Sequence, residues 1–252
     1  MLEFDSNQNI KPKIAKQQKL SKSKFVKIPG PVTIIGRHAL FGAKTLYGIE
    51  LPDSVDVTNL KSFEISMTNC IRIPSRIEKI GNDCLSGCSS LKEIIIPNSV
   101  TEIGDYSFCN CTSLTNFTIP NSVTKIGKFA FYNCSSFTDI SIPNSVAENG
   151  DYAFWECLSL ININIPNSVT MIGESIFEGC SSLTNITIPN YIEIIGWHVL
   201  LGEKILNGIE LPVSVKSLNN NEFIPIKNIC SFVVSDDFEV IGSDVFFKMF
   251  FT

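Results

Sequence analysis

Apolar and polar residues alternate through Leu114 to Ile119, where Leu114, Phe117 and Ile119 are set among polar neighbours. A period near two predicts a half-buried strand. Pro120 follows and, having no N–H to donate, ends the ladder and turns the chain. Asn121 and Ser122 supply turn chemistry. Val123 to Ile126 alternates again and predicts a short second strand, which Gly127 closes through the conformational freedom of glycine. Lys128 to Cys134 is too short for a free-standing helix. It predicts one helical or 3₁₀ turn with Ala130, Phe131 and Cys134 pointing inward.

The same pattern recurs along the chain. Pro74, Pro97, Pro120, Pro143, Pro166, Pro189 and Pro212 fall 23 residues apart. Pro29 and Pro52 extend the series, with one 22-residue step from Pro52 to Pro74, and Ser235 takes the next place after Pro212. A glycine follows most of these prolines at a fixed distance, as Gly36, Gly81, Gly104, Gly127, Gly150, Gly173, Gly196 and, shifted by one, Gly242. The spacing gives about ten coils. No unit of this size buries its apolar face alone, so the coils must stack around a shared core. The predicted fold is a repeat solenoid with parallel strands on one face. A short strand and a helical or 3₁₀ turn form the other face. At ~4.8 Å between strands the array is ~45 Å long. Residues 25–252 form the solenoid, and residues 1–24 are a flexible Lys-rich tail. Residues 36–52 match residues 196–212 at an offset of 160, which marks a duplicated block.

The pattern Leu-x-x-Ile-x-Ile-Pro-x-x-Val-x-x-Ile-Gly-x-x-Ala-Phe-x-x-Cys, fullest in Leu114 to Cys134 and Phe137 to Cys157, resembles the BspA-like (Treponema-type) leucine-rich repeats. The likeness extends over roughly residues 25–246. The asparagine of ordinary leucine-rich repeats is missing, with Ser122 and its equivalents in that region. The resemblance implies a leucine-rich-repeat β-solenoid or horseshoe. It also implies the role of a surface antigen or adhesin that binds host proteins.

Composition narrows the function classes. Apolar residues make up 44% and charged residues 18% of the 252, enough for a sizeable core and the reverse of a disordered chain. A net charge of -5 argues against a dedicated nucleic-acid binder, which carries a basic stripe. No apolar run approaches the ~20 residues of a membrane span. The first residues have no signal-peptide pattern, so the cytoplasm is the default location and a cell surface follows only from the resemblance. Under that default the nine cysteines are reduced. The sequons at Asn110, Asn116, Asn133 and Asn185 fit the chance yield of an Asn/Ser/Thr-rich repeat.

Cys88, Cys111, Cys134, Cys157 and Cys180 share one register position and read as packed core thiols. A zinc site from Cys84, Cys88, Cys109 and Cys111 would need convergent thiolates, whereas Cys109 is expected to face outward. No metal or cofactor is expected. His38 and His198 occupy equivalent positions in the duplicated block, far apart. Neither has a nucleophile and carboxylate at a recognisable spacing, and the single glycines do not form a phosphate loop. The chain reads as non-catalytic.

Two surfaces read as candidates for binding a protein. Outward strand positions in the middle coils carry Asn116, Thr118, Asp139, Ser141, Asn162, Asn164, Asn185 and Thr187, a nearly uncharged row suited to a protein or glycan ligand. The competing reading is that these side chains pair with one another along the stack. On the turn side Tyr132 and Trp155 share an outward position, with Tyr106, Phe129 and Tyr152 beside them. Such rings are interface anchors or, in the competing reading, a cover for the turns. The lysines between Lys11 and Lys27 read as a solvated tail. The apolar C-terminal segment, with Phe246, Phe247, Phe250 and Phe251, either folds over the last coil or supports end-to-end self-association. The leading functional reading is protein–protein interaction. The alternative is an intracellular structural or cytoskeletal scaffold.

Overall fold

The computed structural model describes residues 25–27, 48–51 and 69–189, then 192, 194–196, 198–199, 209–210, 217–218 and 232–233. The expected tail of residues 1–24, the C-terminal phenylalanines, His38 and most of the duplicated block lie outside the described residues. The chain winds as a β-solenoid, with about five turns described in full between Asn69 and Pro189.

The front face is made by short strands that alternate as the sequence does. In Asp139–Ser141 and Asn162–Asn164 the central isoleucine is buried and its neighbours are exposed. Each strand pairs in parallel with its equivalent one coil away, as in Asn162↔Asn185 and Ile163↔Ile140. The shortened repeat is absorbed without a slip, since Gly48 pairs with Cys70. The front strands fall into one sheet of Phe25–Lys27, Gly48–Glu50, Cys70–Arg72 and Glu93–Ile95, another of Asp139–Ser141, Asn162–Asn164 and Asn185–Thr187, and a third pair, Ile209–Glu210 with Phe232–Val233.

The second strand of each coil builds a flanking sheet. Lys79–Ile80, Glu102–Ile103, Lys125–Ile126 and Glu148–Asn149 form one ladder, and Met171–Ile172, Ile194–Ile195 and Ser217–Leu218 form another. The glycine that closes this strand is required by space rather than by backbone angle. A Cβ at Gly127 would lie 2.5 Å from the Asp105 backbone nitrogen and 2.6 Å from the Gly104 carbonyl carbon. The expected conformational role is thus replaced by a steric one.

The third side differs from the helical or 3₁₀ turn expected there. It is a succession of tight turns with no helix assigned among the described residues. Ser107, Cys109 and Cys111 donate their N–H three residues back, to Gly104, Tyr106 and Phe108. Tyr106, Phe108 and Asn110 instead donate to Lys128, Ala130 and Tyr132 of the next coil. A helix sends every N–H along its own axis, so it cannot also knit coil to coil. Switching the direction at every second residue uses left-handed conformations, with φ of 54° at Tyr106 and 60° at Asn110.

Inside, equivalent residues stack into columns. Phe108, Phe131, Phe154 and Phe177 are fully buried. Successive rings lie 5.3 to 5.9 Å apart and nearly parallel. Each buried ring contributes about 1.5–3 kcal/mol of transfer free energy, available only because the neighbouring coil supplies the other half of its surroundings.

Candidate functional site

On the front face, Asp139, Asn162 and Asn185 form a column of side chains. The Asn162 amide donates to Asp139 Oδ1 at 2.8 Å, and the Asn185 amide donates to Asn162 Oδ1 at 2.7 Å. Ser141, Asn164 and Thr187 form a parallel exposed column in register. These six residues share one sheet.

Asn116 and Thr118 are exposed but lie outside it. Between Glu93–Ile95 and Asp139–Ser141 the pairing lapses to a single bridge, Glu93↔Asn116. Phe117 stands where Ile94 and Ile140 stand in neighbouring coils. Its ring packs against Phe108, Phe131 and Phe137 at 5.2, 4.8 and 5.8 Å. A ring in an isoleucine-sized slot accounts for the local break. A cleft of about 470 Å³ opens there, lined by Glu93, Ile95, Asn116, Phe117 and Thr118 among others.

On the turn side the aromatic residues form two adjoining stacks. Tyr106, Phe129 and Tyr152 lie face to face, with centroids 4.7 and 4.5 Å apart and planes within 7°. Tyr132 and Trp155 pack beside them, with centroids 4.9 Å apart and planes tilted by 32°. Phe129 and Tyr152 reach across to that second stack at 5.6 to 6.2 Å. Tyr106 is 39% exposed and the other four are half-buried. Tyr106, Phe129 and Tyr152 all have positive φ, which a bulky residue adopts only at a cost. The same register holds Asp83 and Ser175 in the flanking coils, also at positive φ. The fold therefore does not require rings there.

Carboxylates rim these rings. The Tyr152 hydroxyl donates to Glu174 Oε1 at 2.8 Å, and this bond, with partial burial, raises the hydroxyl above its ordinary pKa. Partial burial and then the charge of Glu156 do the same to Tyr132. Lys128 pairs with Asp151 at 2.8 Å. On the flanking sheet Lys79–Glu102 and Lys125–Glu148 are paired at 2.8 and 3.0 Å.

The described cysteines are all buried. Cys88, Cys111, Cys134, Cys157 and Cys180 are buried and unpaired by disulfides. Cys111, Cys134, Cys157 and Cys180 donate to the carbonyls of Leu85, Phe108, Phe131 and Phe154 at 3.2 to 3.3 Å. Burial pushes Cys157 up to about 12. Cys109, expected to face outward, is instead buried, and so is Cys70. Cys109 shares the register of Tyr132 and Trp155 but is buried, with Asn110 Nδ2 3.2 Å from its sulfur. Cys70 is covered on the front face, with Glu93 opposite in the ladder. Among the described residues no group of three or more His, Cys, Asp or Glu is placed to hold a metal ion. No helix among them is long and apolar enough to cross a membrane.

Leu158 and Ile161, at 45% and 40% exposure, were not among the residues singled out from the sequence. Ser135, Ser181, Thr138 and Thr184 occupy their register in adjacent coils. That local departure from the repeat was the available signal.

Solved structures of similar shape are repeat proteins. A leucine-rich repeat protein of T. pallidum is 24% identical, with a TM-score of 0.57 over 80% of this chain and 85% of that one. One from Bacteroides ovatus ATCC 8483 is 24% identical, with a TM-score of 0.60 over 93% of this chain and 62% of that one. One from Eubacterium ventriosum ATCC 27560 is 23% identical, with a TM-score of 0.56 over 88% of this chain and 57% of that one. The likeness is one of fold, and this chain spans less than two thirds of the latter two proteins. No curated protein matches the sequence. The family model described as the BspA type leucine rich repeat region matches in six copies, over residues 16–134, 101–224 and 149–251. The chain belongs to the BspA-type leucine-rich-repeat family.

Proposed function

We propose that this chain is a non-catalytic module that binds a protein partner through the turn-side rings around Tyr132 and Trp155. The observation that carries this reading is a half-exposed aromatic patch in which the three rings beside Tyr132 and Trp155, those of Tyr106, Phe129 and Tyr152, sit at costly positive φ, in coils whose neighbours fold without it. Interface anchors are enriched in Tyr and Trp. The front-face residues Asn116, Thr118, Asp139, Ser141, Asn162, Asn164, Asn185 and Thr187 form the secondary surface. Their amides are partly engaged with each other, which lowers what they offer a ligand. The resemblance to surface antigens and adhesins supports a host protein as the partner. A scaffold role inside the cell is the second reading, favoured by the lysines of residues 11–27, and surface labelling of intact cells separates the two.

The test is affinity capture with the tagged full chain, with partners identified by mass spectrometry. Tyr132→Ala/Trp155→Ala is expected to lose the captured partner while Asn162→Ala/Asn185→Ala retains it, both variants being checked for unchanged circular dichroism. Full capture by the aromatic variant would remove the turn side as the binding surface.

A further inference from the structure

Resting on the reading of the turn side as a binding surface, we propose that the aromatic stack takes an extended, Lys/Arg-rich segment of its partner protein. Charge complementarity is the ground. Asp83, Asp105, Asp151, Glu156, Glu174 and Glu178 lie in the coils and registers flanking the rings, and the nearby lysines Lys128 and Lys125 are already paired with Asp151 and Glu148.

The geometry divides the work between rings and carboxylates. Tyr106, Phe129 and Tyr152 lie within 7° of parallel, so each interior ring face is covered by the next ring. Their rims face solvent. Rims present apolar C–H surface, against which the aliphatic stems of Lys and Arg pack. The cationic heads then reach carboxylates on either side, Glu156 beside Tyr132 and Glu174 at the Tyr152 hydroxyl. The stack has an outer ring face at each end, that of Tyr152 toward Ser175 and that of Tyr106 toward Asp83. Tyr106 has Phe129 on one side, and its other side looks toward the coil carrying exposed Asp83. A cation there meets a ring face and a carboxylate together. From Asp83 to Glu174 is four coils, roughly 19 Å, which an extended peptide covers in roughly six residues.

Isothermal titration of the full chain tests this, using a capped peptide of alternating lysine and serine long enough to span the stack. A peptide of alternating glutamate and serine serves as the counterpart. The lysine peptide is expected to bind saturably, to weaken as salt screens the charges, and to lose on the order of tenfold in affinity in the combined variant Asp83→Asn/Glu156→Gln/Glu174→Gln. Those replacements keep size and one acceptor oxygen while removing the charge, and an unchanged melting temperature verifies the fold. Equal binding of the two peptides, or undiminished binding by the variant, overturns the proposal. If Tyr132→Ala/Trp155→Ala still abolishes partner capture in that event, the surface stands and only its preference for cations falls. If capture survives as well, both readings fall.

Discussion

A methyl group at Gly127 would strike backbone atoms of the preceding coil, and backbone cannot swing aside as a side chain can. Gly127→Ala is therefore expected to cost about 1–3 kcal/mol. The melting temperature should fall by roughly 2–4 °C for each kcal/mol, and an unchanged value would refute the steric account. The recurrence of this glycine was plain in the sequence, but its cause was not, because spacing between letters carries no distance between coils. Cys109 shows the same limit. It was expected outside because its register position holds Tyr132 and Trp155, yet a small thiol at that position is covered where rings are not. The left-handed φ at Phe129 and Tyr152 was equally hidden, since these residue types ordinarily argue against it.

Among the elements, the strands were legible because alternation and proline marked both their faces and their ends. Two of the interruptions in the sheets were not. Phe117 satisfies the apolar pattern while exceeding the space for it. Asn149 stands in the flanking-sheet column otherwise held by Ile80, Ile103, Ile126 and Ile172. Its Oδ1 is buried without a hydrogen-bond partner, and the ladder ends there. Asn149→Ile is expected to stabilise the protein by about 1–3 kcal/mol in urea unfolding. Loss of stability would show that Asn149 serves the fold in some way its surroundings do not reveal. The turn elements were misjudged for a physical reason already visible in their hydrogen bonds. Half of their N–H groups serve the next coil, and that demand has no local signature.

At the scale of the whole molecule the repeat period alone sufficed for the fold, since a unit unable to bury its own face has stacking as its one outlet. The binding surfaces were readable as rows of residues. How far those residues satisfy one another depends on coil-to-coil geometry that only the structure supplies. The column of thiols ties chemistry to the integrity of the array. Cys157 has its thiol pKa raised by burial from an ordinary 9.0 to about 12, and Cys134 is raised in the same direction by burial and then by Cys157. Unfolded thiols ionise first, so this stabilisation is complete below pH 9 and declines as pH rises toward 12. Thermal unfolding followed from pH 7 to 11 should show falling stability above pH 9. Replacing Cys134 and Cys157 by Ala should lessen that slope, and an identical slope would assign the loss to other groups.

The side-chain bonds along the front and interior of the solenoid run one way. Asn133, Asn162 and Asn185 donate to the coil before them, as do Cys111, Cys134 and Ser122. In these side-chain bonds a coil thus offers acceptors to its successor and requires acceptors from its predecessor. For a chain made from the N-terminus onward, each new coil arrives where its acceptors already stand. Cutting the array at either end is then not equivalent. Loss of a later coil strips the turn N–H groups of Tyr106 and its equivalents of their acceptors, whereas loss of an earlier one strips interior thiols and hydroxyls of theirs.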